Sequence, residues 1–193
     1  MKTPAAQSDI YASPESLKNI CQRLGDRSFC SDLGIRYPYL GGSMAKGISS
    51  VAMVEELGKA GMLGFFGAAG LPLAAVEAAV DRLAGAAFPC GFNLIHSPQE
   101  PDLEKALADM YIRKGVRLVE ASAFLALTLP LVRYRVHGIH RASDGTVCVP
   151  NRIIAKVSRE ELAEKFFPPR RTNSCGNWST KARSPPNRPD LPP

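Results

Sequence analysis

Two charged residues sit where charge is costly. Glu120 interrupts the apolar run Val116–Ala121, and Lys156 interrupts Arg152–Val157. A charge inside an apolar strand needs a partner or a task. Asn93 lies in a third such run, Cys90–Ile95, and offers both a donor and an acceptor to an amide-like ring edge. Gly42-Ser43-Met44-Ala45 follows a short apolar stretch. Small residues there let a flat ligand lie against backbone, and Met44 is a soft surface for an aromatic face. Together these groups suit a planar ring with polar edges, with Lys156 able to face negative charge on it. Each also has a plain structural reading: the glycines as turns, Met44 as core, Asn93 as a loop cap, and Glu120 paired with Lys156.

Other chemistries find little support. His96 follows a strand and could touch a ligand, whereas His137 and His140 fall in a separate polar stretch. There is no GxGxxG after the first strand, no phosphate-binding GxxxxGK[ST] loop and no nucleophile elbow. Cys21, Cys30, Cys90, Cys148 and Cys175 form no CxxC pair, so a zinc site is not expected. Their odd number, and an opening MKTPAAQSDIYASPE without an apolar signal core, point to free thiols in a reducing cytoplasm. Of the formal charge of +6, +4 falls beyond Phe167, where five basic residues face Asp190 alone. The preceding part is nearly balanced, so no nucleic-acid partner is expected. The longest apolar stretch, Ala60–Leu73, is broken by four glycines and Pro72, and no membrane span is expected.

The elements that must hold these residues follow from the hydrophobic period. Strands are expected at Tyr37–Leu40, Met62–Phe66, Cys90–Ile95, Val116–Ala121 and Arg152–Val157. Helices are expected from Ser13, capped by it, through Leu24; from Ser49 or Ser50 to Gly61; from Pro72 to Leu83; over Pro101–Lys114; and over Ser158–Phe166. Val132–Val136 and Thr146–Val149 are expected to flank a hairpin around His137–Gly145. Short, almost wholly apolar strands separated by helices imply a parallel sheet covered on both faces. An open doubly wound sheet and a barrel both satisfy this, and both place functional residues at the strands' carboxyl ends.

Four runs, YLGGSMAKGISSVAMVEELGKAGMLGFFGAAGL, GFNLIHSPQEPDLE, GVRLVEASAFLALTLPLVRYRVHGI and NRIIAKVSREELAEKFF, resemble the PfaD-type family in the family's order. These are trans-acting, FMN-dependent enoyl reductases of polyunsaturated fatty acid and polyketide synthases, similar to nitronate monooxygenases. The resemblance implies an α/β chain forming an incomplete TIM-type (β/α)8 barrel of about five βα units. It implies FMN at the strands' carboxyl ends, NADPH as reductant and an acyl carrier protein as partner. It places Gly42, Met44, Ala45, Asn93 and Lys156 against the flavin and leaves the catalytic residue unnamed. The phosphate-binding loops of the family follow later strands. A nitronate-oxidising flavoprotein and a non-catalytic fragment or pseudogene product are the competing readings.

Residues 1–36 read as a lead-in, 37–167 as the first half of the flavin-binding barrel, and 168–193 as a disordered tail without hydrophobic period. Back-translated with GC-rich codons and read one base out of frame, that tail can encode a helix-patterned peptide. A single-base deletion near the Pro168 codon is therefore expected, with a genuine disordered tail as the rival explanation; DNA sequencing through these codons distinguishes them. Five of eight strands leave two open edges, so the chain alone is expected to aggregate or be molten, to hold no FMN and to be inactive.

Overall fold

The computed structural model describes residues 14–166. The Ser13 cap and the tail beyond Phe167 lie outside the described residues. Helices α1 (Pro14–Arg23) and α2 (Arg27–Leu33) precede the main sheet. Then follow β1 (Leu40–Gly41), α3 (Val51–Lys59), β2 (Leu63–Phe66), α4 (Leu73–Leu83), β3 (Cys90–Ile95), α5 (Pro101–Arg113) and β4 (Leu118–Ser122). Helix α6 (Leu129–Val136), the hairpin β5 (His140–Arg141) and β6 (Val147–Cys148), β7 (Arg152–Ala155) and α7 (Glu160–Phe166) complete the order.

The main sheet runs β1-β2-β3-β4-β7, every pair parallel. It is curled. In a flat five-stranded sheet the edge strands would stand about 19 Å apart. Yet Lys156, just past β7, donates a hydrogen bond to the carbonyl of Ser43, just past β1, at 3.2 Å. Strands in chain order, helical crossovers and this curl make an incomplete TIM-type barrel.

Side chains alternate between two cores. Phe66, Phe92, Leu94, Val119 and Ala121 point outward to the helices, where they meet Val76, Val80, Leu107, Met110 and Leu131. Leu63, Phe65 and Leu118 point inward with Ile35, joined by Leu40, Ile154 and three residues of α2: Phe29, Cys30 and Leu33. The lead-in is thus partly structural, because α2 plugs the interior. Its signals were in the sequence: Asp26 caps it by accepting from the Ser28 amide at 2.8 Å, and Gly34 ends it at φ 67°. Leu17 and Ile20 of α1, and Leu24 just after it, are exposed.

Val132–Val136 is helix, not strand. Thr128 caps it, Pro130 occupies its first turn, and Leu131 and Tyr134, three apart, are the residues it buries. The valines' β preference yields to that spacing. The hairpin forms farther on, with His140 opposite Cys148 and Arg141 opposite Val147.

Two buried tyrosines tie helices to strands. Tyr111 donates to the Asn93 carbonyl at 2.8 Å and Tyr134 to the Val116 carbonyl at 3.0 Å. Burial pushes both phenols above their ordinary value. The unfolded chain loses these protons near pH ~10 while the folded chain keeps them, so their stabilisation is full below pH ~10 and lost as pH rises beyond it. Melting temperature should therefore fall steeply between pH ~9.5 and ~11, and less steeply in Tyr111→Phe/Tyr134→Phe. An unchanged slope in the double variant would contradict this burial.

Candidate functional site

The inward residues change character along the strands. The lower layer is apolar, with Phe65, Leu118 and Ile154. Near the carboxyl ends it becomes Gly42, Asn93, Glu120 and Lys156. Asn93 and Glu120 are register partners on β3 and β4. Both are buried, at 2% and 3% exposure.

The Glu120 carboxylate gathers three donors onto one oxygen. Its Oε2 accepts the Ser43 amide at 2.8 Å, the Ser43 hydroxyl, and Lys156 Nζ at 3.4 Å. The pairing of Glu120 with Lys156 is therefore real. Lys156 itself is not buried as expected; it lies one residue past β7 with its side chain 47% exposed. The reason is that β7 is a sheet edge, with no strand beyond it among the described residues. Along that edge runs a mostly apolar groove of about 500 Å³ lined by Leu127, Leu131, Val132, Ile153, Ala155 and Phe166, with Arg135 its one charged residue among those described.

Asn93 also differs from expectation. Its amide nitrogen donates to the Glu120 carbonyl at 3.2 Å and to Ser122 Oγ at 2.9 Å. With both N–H groups engaged, only Oδ1 is left to face a ligand.

The β1 exit loop is built around a serine that sequence reading treated only as a helix cap. Ser50 caps α3. Buried Ser49 instead donates its hydroxyl to the Gly42 carbonyl and accepts the Met44 amide, both at 2.9 Å. Met44 and Ala45 are thereby held at the rim, both exposed. Gly67 must be a glycine, because a Cβ there would lie 1.7 Å from the Met44 carbonyl oxygen. Lys46 and Ala123 adopt φ of 56° and 62°, unusual for non-glycine residues. They sit in the exit loops of β1 and β4, and such strain gathers at functional loops.

His96 is brought not into the Glu120 group but onto α5. Its Nδ1 lies 2.7 Å from Glu104 Oε2, and its ring stacks on Phe124 at 5.3 Å. Glu104 is buried and also accepts the Thr128 hydroxyl. Sequence reading missed Glu104, since an acid in the first turn of a helix is ordinary. Cys90 is no nucleophile; burial pushes its thiol up. No group of three His, Cys, Asp or Glu placed to hold a metal occurs among the described residues, nor any helix long and apolar enough to cross a membrane.

No family model matches the chain. Individual relatives do. Residues of this chain are 52% identical over 149 positions to a polyunsaturated fatty acid synthase polypeptide of Thraustochytrium sp., covering 76% of this chain. They are 43% identical over 172 positions to polyketide biosynthesis protein PksE of Bacillus subtilis, covering 87%. The enoyl reductase domain of MlnA, from the macrolactin biosynthesis cluster of Bacillus amyloliquefaciens, superposes with a TM-score of 0.72 at 46% identity over 76% of this chain. Over the residues matched, the chain belongs with the PfaD-type enoyl reductases. It spans 10% and 22% of the lengths of the two sequence relatives and 34% of the MlnA domain. FabK from Thermotoga maritima, 21% identical with a TM-score of 0.53, shares the fold.

Proposed function

We propose that this PfaD-type fragment is the ring-facing part of an FMN-dependent enoyl reductase. The parent enzyme acts in trans, in the cytoplasm, on enoyl thioesters of an acyl carrier protein, with NADPH as reductant. One observation carries this reading: the inward layer turns polar at the strands' carboxyl ends, in a chain 46% identical to an enoyl reductase domain. The residues present suit a flat ring. Gly42 keeps the space beside Glu120 and Lys156 clear, Asn93 presents an acceptor, and Met44 and Ala45 edge the rim. Bound FMN would supply a two-electron carrier able to take hydride from a nicotinamide and pass it to an activated double bond. The chain's own part is to orient that ring. Lys156 sets a positive amine against it, and Ser49 fixes the loop bearing Met44 and Ala45.

The resemblance implies phosphate-binding loops after strands later than β7, so the described residues supply the ring wall and not the phosphate grip. It should purify colourless, quench added FMN fluorescence saturably but weakly, and fail to reduce a crotonyl-carrier-protein thioester with NADPH. Absence of any saturable quenching would sink the flavin reading. Turnover would sink the claim that this chain is inactive.

A further inference from the structure

Oε2 of Glu120 is crowded, but Oε1 is not. Among the described residues, Ser43 and Lys156 both approach Oε2, and Oε1 receives no hydrogen bond. Glu120 is only 3% exposed, so Oε1 is left to whatever water or ligand occupies the mouth. What lies beside it is the empty space of a glycine: a Cβ on Gly42 would come within 3.2 Å of Oε1. Its register partner Asn93 has engaged both amide hydrogens elsewhere. The interior wall therefore presents two adjacent acceptors with no donors of their own.

We infer that Glu120 is a ligand-contacting residue, whose Oε1 accepts an N–H or O–H of the bound molecule while Oε2 positions Ser43 and Lys156. That molecule's identity rests on the flavin reading above. A flavin carries both kinds of donor, the imide N–H of its ring and the hydroxyls of its ribityl chain.

Glu120→Gln tests this with little change of shape. Three donors converge on the Oε2 position, so the amide must turn its oxygen there and its NH2 toward Oε1. The mouth then shows a donor where it showed an acceptor. The full 193-residue chain is titrated by fluorescence quenching with FMN, with lumiflavin (ring N–H, no hydroxyls) and with N3-methyllumiflavin (neither). Melting temperature is followed in parallel.

The expected result is about tenfold weaker FMN binding in Glu120→Gln, with an unchanged melt. If lumiflavin weakens equally and the methylated ring is indifferent, the donor is the imide N–H. If only FMN weakens, it is a ribityl hydroxyl. Equal binding of every probe by wild type and Glu120→Gln would overturn the inference and leave the flavin reading standing. If wild type binds no probe, both fall. Should Glu120→Gln melt early, Gly42→Ala decides. Its methyl group would lie 3.2 Å from Oε1 and 3.5 Å from Lys156 Nζ, so unchanged binding there also overturns the inference.

Discussion

Truncating Phe65 to alanine is expected to cost about 3–5 kcal/mol. Phe65 is fully buried in the inward cluster with Leu63, Leu118 and Ile35. Its ring lies over Gly91 of β3, where a Cβ would come within 2.2 Å. A neighbour without a side chain cannot fill the cavity, so relaxation recovers little. Small domains have only about 5–15 kcal/mol in total, and a sheet whose β1 and β7 edges have no further strand among the described residues stands toward the lower end. Phe65→Ala should lose its cooperative urea transition at 25 °C, while Phe65→Leu keeps one. A transition within ~1 kcal/mol of wild type would mean that the interior is not packed around this ring.

Gly67→Ala should have a comparable effect by the opposite cause. The added Cβ would meet the Met44 carbonyl oxygen at 1.7 Å and its carbon at 2.7 Å, both backbone atoms that no rotamer change can remove. Gly67 also donates to the Ser49 carbonyl and accepts the Gly47 amide, each at 3.0 Å. The β1 exit loop must therefore move, at a cost at or above the top of the ~1–3 kcal/mol usual for overpacking. Gly85, whose Cβ would meet nothing, is the control. Trypsin should cut after Lys46 faster in Gly67→Ala than in wild type or Gly85→Ala. Equal rates would refute the loop contact.

Much of the architecture was legible because strand and helix periods are local. The helix expected from Pro72 to Leu83 is α4, and its Val76, Ala79, Val80 and Leu83 are all buried. The run Cys90–Ile95 is β3 to the residue. The misreading at Val132–Val136 is also local in origin. Valine content argued for a strand, but only Leu131 and Tyr134 found cores to enter. Helix α2 went unread because it is seven residues long, too short for a period to declare itself.

The site was legible in its parts rather than its connections. An acid and a lysine inside apolar runs announced a demand for partners, and Gly42 and Asn93 fell on the inward face by strand alternation alone. Composition, period and punctuation by themselves determined a parallel βα chain with polar groups at its strand ends. Which groups would meet was decided only by strand pairing and the curl of the sheet. Pairing of β4 with β7 brings Lys156 to Glu120 across 36 residues, and the curl brings Ser43 to Glu120 across 77. That curl also engages one carboxylate oxygen fully and leaves the other bare. Hydrogen bonds act over about 3 Å, and chain separation carries no information about such distances until the backbone has folded.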